Sequence, residues 1–179
     1  MTDATRLVAR YNAHADRLLF ELLDGIDPDL ITRPAGSYFV SILGLLNHTL
    51  LAGLTWMVRF RDGGIDLPAL QDPILEFEHP GWHSLLFDTY AATRDCQNDL
   101  DRLFIRLTGE WDDAGCATPF SYTTSHGESH RRRAGEVLLH VFNHATHHRG
   151  QISQILDGQG IEHDYSNLAS ILDEVPDEA

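Results

Sequence analysis

The chain has 179 residues, with 13 Lys and Arg against 27 Asp and Glu and a formal net charge of −14 at pH 7. That length fits one domain, and 42% hydrophobic residues supply enough apolar surface for a packed core. The acidic balance argues against nucleic acid and against an anionic membrane surface as partners, because both need a basic footprint.

Four segments carry a helical period. The first runs from about Asp3 to Leu23, with Leu7, Tyr11, Leu18 and Leu22 on one stripe and Gly25 as its stop. After the connection IDPDLITRPAGS, the second runs from about Tyr38 to Arg61 and ends before Asp62-Gly63-Gly64. The linker from Asp62 to Gly81 holds Pro68, Pro73 and Pro80 and is long enough to cross a bundle. The third helix is expected from about Trp82 to Leu107. CATPFSYTT and SHGESHRRR then read as two short β runs around Ser125-His126-Gly127, a small hairpin.

The fourth helix is expected from about Arg133 to Leu156, closed by Asp157-Gly158-Gln159-Gly160. SNLASILDEV adds one or two helical turns, and a tail from about 173 to 179 is expected to fray. The fold class is therefore all-α: one domain over residues 1–179, a four-helix bundle with long crossover linkers and a hairpin before the last helix.

Cys96 and Cys116 form no pairing pattern, and the opening MTDATRLVARYNAHADRL has no apolar core of a signal peptide. The longest apolar stretch, Ile42 to Val58, is interrupted by Asn47 and His48 and falls short of the ~20 residues that span a bilayer. A cytoplasmic protein without membrane attachment is expected. Cys96, near the inward edge of the third helix, reads as a structural thiol.

Histidine is in excess: 11 residues, four of them between His140 and His148. At ~100° per residue, with Val141 at zero, Val137, Ile152 and Ile155 mark the inward stripe of the fourth helix. His148 and His144 fall at roughly −20° and −60°, on the buried side, while His140 and His147 fall on the flank. An i,i+4 pair of imidazoles on one face can share a metal ion, although the same spacing also describes two hydrogen-bonded core residues. On the second helix His48 shares its face with Ser41, Gly44, Ala52 and Thr55, all small, which implies space beside the ring. One imidazole from the second helix and two from the fourth give three ligands with positions left open, the count of a catalytic site.

The segments LLNHTLLAGLTWMVRF and HVFNHATHHRGQ, with ARYNAHADRLL near the start, resemble the DinB/YfiT-like family. The resemblance runs from about Ala4 to Gly158. It implies a dimeric four-helix bundle of the DinB type with a divalent metal on His48, His144 and His148. It also implies kinship with thiol-dependent transferases and isomerases that use bacillithiol, mycothiol or glutathione. The chain departs from many relatives in having Gly53-Leu54-Thr55 before Trp56 in place of an Asp-Arg pair, and His14 where a Trp is common.

Rival sites fail on spacing. HExxH is absent because Ala145 follows His144, the sole Glu-x-x-His (Glu76 to His79) lies in the proline-rich linker, and neither GxSxG nor a phosphate loop occurs. Around the trio, His14, Gln151 and His147 are candidate supporting residues, with His14 sharing the stripe of Leu7, Tyr11 and Leu18. Asn47 and Asn143 point ~100° away from their histidine neighbours. Arg149 is read as outward-facing, and Arg131-Arg132-Arg133 as the opening of the fourth helix.

The expected function is that of a metal-dependent enzyme of the thiol S-transferase, isomerase or hydrolase type acting on a small molecule. Zn²⁺ or Ni²⁺ is the expected metal, a low-molecular-weight thiol a further cofactor, and a metal-activated water or thiol the reacting group. The alternative is a non-catalytic, metal-binding dimeric interaction or stress-response protein, with a fourth protein ligand such as His14. A homodimer is expected on a second ground: Leu46, Leu50, Leu54 and Met57 leave the second helix apolar outside its His48 face.

Overall fold

A computed structural model of the chain describes residues 1–174. Four long helices, α1 (Thr2–Asp24), α3 (Ile42–Asp62), α4 (Tyr90–Glu110) and α6 (Ala134–Asp157), carry the structure. Short helices α2 (Pro28–Thr32) and α5 (Asp113–Ala117) and the hairpin strands β1 (Pro119–Thr123) and β2 (Ser129–Arg133) connect them. Single 3₁₀ turns form at Pro68–Gln71, Pro73–Leu75 and Leu168–Ile171. The fold is thus predominantly helical with one two-stranded antiparallel sheet. The expected frayed tail lies outside the described residues, apart from Asp173 and Glu174.

Local chemistry sets the helix ends. Ser41 Oγ accepts the Gly44 N–H at 3.1 Å and Thr89 Oγ1 accepts the Ala92 N–H at 3.3 Å, so α3 and α4 start on side-chain N-caps. Both caps correct the sequence expectation: α3 begins at Ile42 rather than Tyr38, and α4 at Tyr90 rather than Trp82. The connection before α1's partner α3 contains α2, capped by Asp27 with Pro28 in its first turn. Arg131 and Arg132 lie on β2 rather than in a helix, with Tyr122 paired to His130 and Phe120 to Arg132.

Each long helix has two long neighbours: α1 packs on α4 and α6, and α3 packs on the same two. α3 is also covered by α2, by the 3₁₀ turns of the proline-rich linker and by β1. This covering corrects the argument for a partner subunit. Leu46, Leu50, Leu54 and Met57 are all at most 6% exposed within the single chain, because the linkers occupy the face assigned to a second copy. Gly53 permits the α3–α4 approach, since a Cβ there would lie 2.7 Å from Leu100 Cδ2.

The inward face of α1 is rotated from the expected stripe. Of the expected stripe Tyr11 is buried but Leu7, Leu18 and Leu22 are half-buried, whereas Thr5, Ala9, Asn12, Asp16, Leu19 and Leu23 are buried. A search for apolar spacing passes over Asn12 and Asp16, which are buried because they have polar partners inside. No helix of the described residues is long and apolar enough to cross a membrane.

Candidate metal centre

His48 sits in the second turn of α3, and His144 and His148 sit one turn apart on α6, which packs against it. His144 Nε2 lies 3.3 Å from His48 Nε2 and 3.0 Å from His148 Nε2. Among the described residues these three form a group whose ligand atoms all lie within 4.8 Å of one another. Two nitrogens each ~2.1 Å from one ion, at about 90–110°, stand roughly 3.0–3.4 Å apart. The observed separations therefore suit a shared divalent ion, whereas three mutually facing imidazoles without one would have to crowd lone pairs or protons together.

Electrostatics favours the ligand form. Burial, reinforced by the neighbouring imidazoles, pushes His48 down to about 4 and His144 down to about 3. Burial also lowers His148, against its hydrogen bond to the Gln151 side-chain oxygen, which favours its charged form. At neutral pH all three rings are therefore neutral, as metal ligation requires.

The His148 Nδ1–H donates to Gln151 Oε1 at 2.7 Å, which selects the tautomer with a free lone pair on Nε2. His48 Nδ1 is buried without a hydrogen-bond partner. The His48 ring instead stacks on Phe39, with centroids 3.9 Å apart and planes 22° from parallel, and Trp82 stands edge-on at 6.2 Å.

The other candidates are placed differently. His147 is exposed, its ring 5.0 Å from that of His148, and His140 is exposed against Trp56 at 5.8 Å. His14 does not face this cluster: its ring nitrogens lie 3.4 Å from Arg17 Nη2 and 3.4 Å from Ser170 Oγ, at the exposed edge of α1. Asn143 is exposed. Asn47 touches none of the three histidines through its side chain. Its Oδ1 accepts the Leu86 and Phe87 N–H groups at 2.8 and 2.9 Å, and its Nδ2 donates to Leu43 O and Thr93 Oγ1. Those bonds are why the segment before Thr89 does not join α4. The Cys96 thiol is pushed up to about 11 by burial and by Asp99, which makes it a poor nucleophile.

Arg149 overturns the outward reading: it is 2% exposed. Its Nη1 donates to Asn12 Oδ1 at 2.7 Å and to Asp16 Oδ1 at 3.0 Å, and its Nη2 to Thr146 Oγ1 at 3.1 Å. Asn12 Nδ2 bridges Asp16 and Asp101 at 3.0 Å each, and Gln97 Nε2 donates to Asp101 at 3.0 Å. Burial raises the pKa of both aspartates, against the pull of Arg149. Asp101 is raised further because the Asp16 charge faces it, whereas Asp16 pairs directly with Arg149. The signal available in sequence was the i,i+4 pair Asn12 and Asp16 interrupting an otherwise apolar face.

A model of the DinB family matches residues 1–173. The curated Protein DinB of Bacillus subtilis (strain 168) is 25% identical over 166 residues, covering 89% of this chain and 88% of the relative. No solved structure matches the chain.

Proposed function

The chain belongs to the DinB family, and from that footing we propose that His48, His144 and His148 hold one divalent metal ion, Zn²⁺ or Ni²⁺, in a metal-dependent enzyme. The bundle architecture of the DinB type forms part of the same reading. The convergence of three neutral imidazole Nε2 atoms carries it. A divalent ion on three neutral ligands keeps its full charge and supplies Lewis-acid chemistry, lowering the pKa of a water or a substrate thiol.

The chain's own residues do the rest. Gln151 holds the His148 ring in orientation and tautomer. Phe39, stacked on His48, removes water from one side of the site and strengthens every electrostatic interaction within it. Buried Arg149, through Asp16 and Asn12, ties the α6 turn that carries His148 to α1. The reactions that fit are thiol S-transfer, isomerisation or hydrolysis on a small molecule. His14, the fourth ligand of a closed site, faces Arg17 and Ser170 instead, which favours an open, catalytic arrangement over a purely structural one.

The test uses zinc- or nickel-loaded protein with two probe reactions: conjugation of a low-molecular-weight thiol to 1-chloro-2,4-dinitrobenzene, and hydrolysis of p-nitrophenyl acetate. The proposal expects at least one to proceed well above the His144→Ala background. Equal rates in both proteins for both probes would leave the non-catalytic metal-binding reading in its place.

A further inference from the structure

A cavity of about 470 Å³ has His48 in its wall. Its remaining walls come from the first turn of α3, from Thr32 at the end of α2, and from two irregular segments, the turn ahead of α3 and the stretch ahead of α4. Tyr38, Phe39, Leu43, Trp82 and Leu85 make the lining largely aromatic and aliphatic. Tyr38 and Leu85 are 75% and 44% exposed, unusual for large apolar side chains and suited to the rim of a ligand site.

Its charge is one-sided. No Lys or Arg lines this cavity; His48 and His83 are its imidazoles, and its one carboxylate is Asp88, which has no ion-pair partner among the described residues. Away from the His48 end, where a bound divalent ion would supply positive charge, a negatively charged group would meet apolar walls and the Asp88 carboxylate with no Lys or Arg to balance it. An uncharged or cationic ring at the Asp88 end meets apolar walls and a carboxylate.

The walls are built to keep this shape. Asn47, the residue before His48, fixes the Leu86 and Phe87 amides, which flank the lining residues Leu85 and Asp88. Gly44 lets the opposite wall close in: a Cβ there would lie 1.8 Å from the Phe39 carbonyl oxygen. Val40 adopts φ 72°, a left-handed conformation that a β-branched residue rarely takes. It is held there between the Ser37–Val40 bridge and the Ser41 cap. Such strain persists only where surrounding structure enforces it.

We propose that this cavity receives an apolar or aromatic substrate group bearing no negative charge and presents it to the His48 side of the histidine cluster. The inference deepens the catalytic reading and rests on it for its purpose. Its consequence is that the carboxylates of an anionic thiol lie outside this cavity, which is left to the thiol's reaction partner.

The experiment titrates benzylamine, benzyl alcohol and benzoate, one ring with three charges, into ¹⁵N-labelled protein at pH 8, with and without zinc. The Trp82 indole N–H resonance, assigned with Trp82→Phe, is the readout. In the metal-free protein benzylamine and benzyl alcohol should shift it saturably and bind at least about threefold more tightly than benzoate, the scale of one charge pair near a surface. Asp88→Lys, at an exposed position, should reverse the order of amine and benzoate. Benzoate binding as tightly as benzylamine to the metal-free protein, or no saturable shift in either zinc state, would overturn the proposal. Because the metal-free protein is included, failure of metal binding and failure of ring binding are read separately.

Discussion

The Arg149 guanidinium on α6 lies 3.0 Å from the Asp16 carboxylate on α1, and both side chains are at most 6% exposed. An ion pair removed from water in this way is worth little more than a well-packed apolar pair, but breaking it leaves a bare buried charge. Arg149→Met should therefore destabilise the protein by about 3–5 kcal/mol. Arg149→Met combined with Asp16→Leu should recover much of that loss, and urea unfolding of the three variants measures the coupling.

Asp101 makes the opposite kind of prediction. Its folded pKa is raised by burial and by Asp16, so its contribution is present below the unfolded carboxylate range and is lost as pH rises through the folded value. Asp101→Asn keeps an oxygen for the Asn12 and Gln97 amides and cannot ionise. It should be at least as stable as the wild type at neutral pH, with its advantage growing as pH rises from the unfolded carboxylate range through the raised folded value. Thermal unfolding across that range checks the sign.

The histidine cluster titrates the other way. Folded His48 and His144 sit near about 4 and about 3, against an unfolded value of 6.5. Below pH 6.5 the unfolded chain takes up protons that the folded site refuses, so metal-free protein should lose stability progressively from pH 6.5 toward pH 4. His144→Gln removes one of these groups and should flatten that part of the urea-midpoint profile. An unchanged slope would mean that the cluster is not neutral when folded.

Gln151 orients His148 without belonging to the ligand set. Gln151→Leu should weaken zinc binding by about 10–100-fold, the usual effect of losing a partner behind a ligating imidazole. Competitive titration against a chromophoric chelator measures it, and unchanged helical circular dichroism separates the effect from unfolding.

Much of this was legible from periodicity. The phases of His144 and His148 on one helix and the small-residue face around His48 point to a shared site, and the structure brings those three rings together. What periodicity hides is anything whose partner is remote in sequence. Arg149 reads as a surface cation until Asp16 and Asn12 meet it inside. The start of α4 is misjudged because Asn47 takes the Leu86 and Phe87 amides, and an apolar period cannot register a hydrogen bond across 39 residues. The apolar circumference of α3 is real, but the chain's own linkers cover it.

Metal stoichiometry tests the central claim most directly. Protein freed of metal by chelation and reloaded with zinc or nickel should hold one ion per chain by elemental analysis. His48→Ala, His144→Ala and His148→Ala should each lose it while staying folded. Wild-type protein that binds neither metal, or single variants that retain a full equivalent, would contradict the assignment.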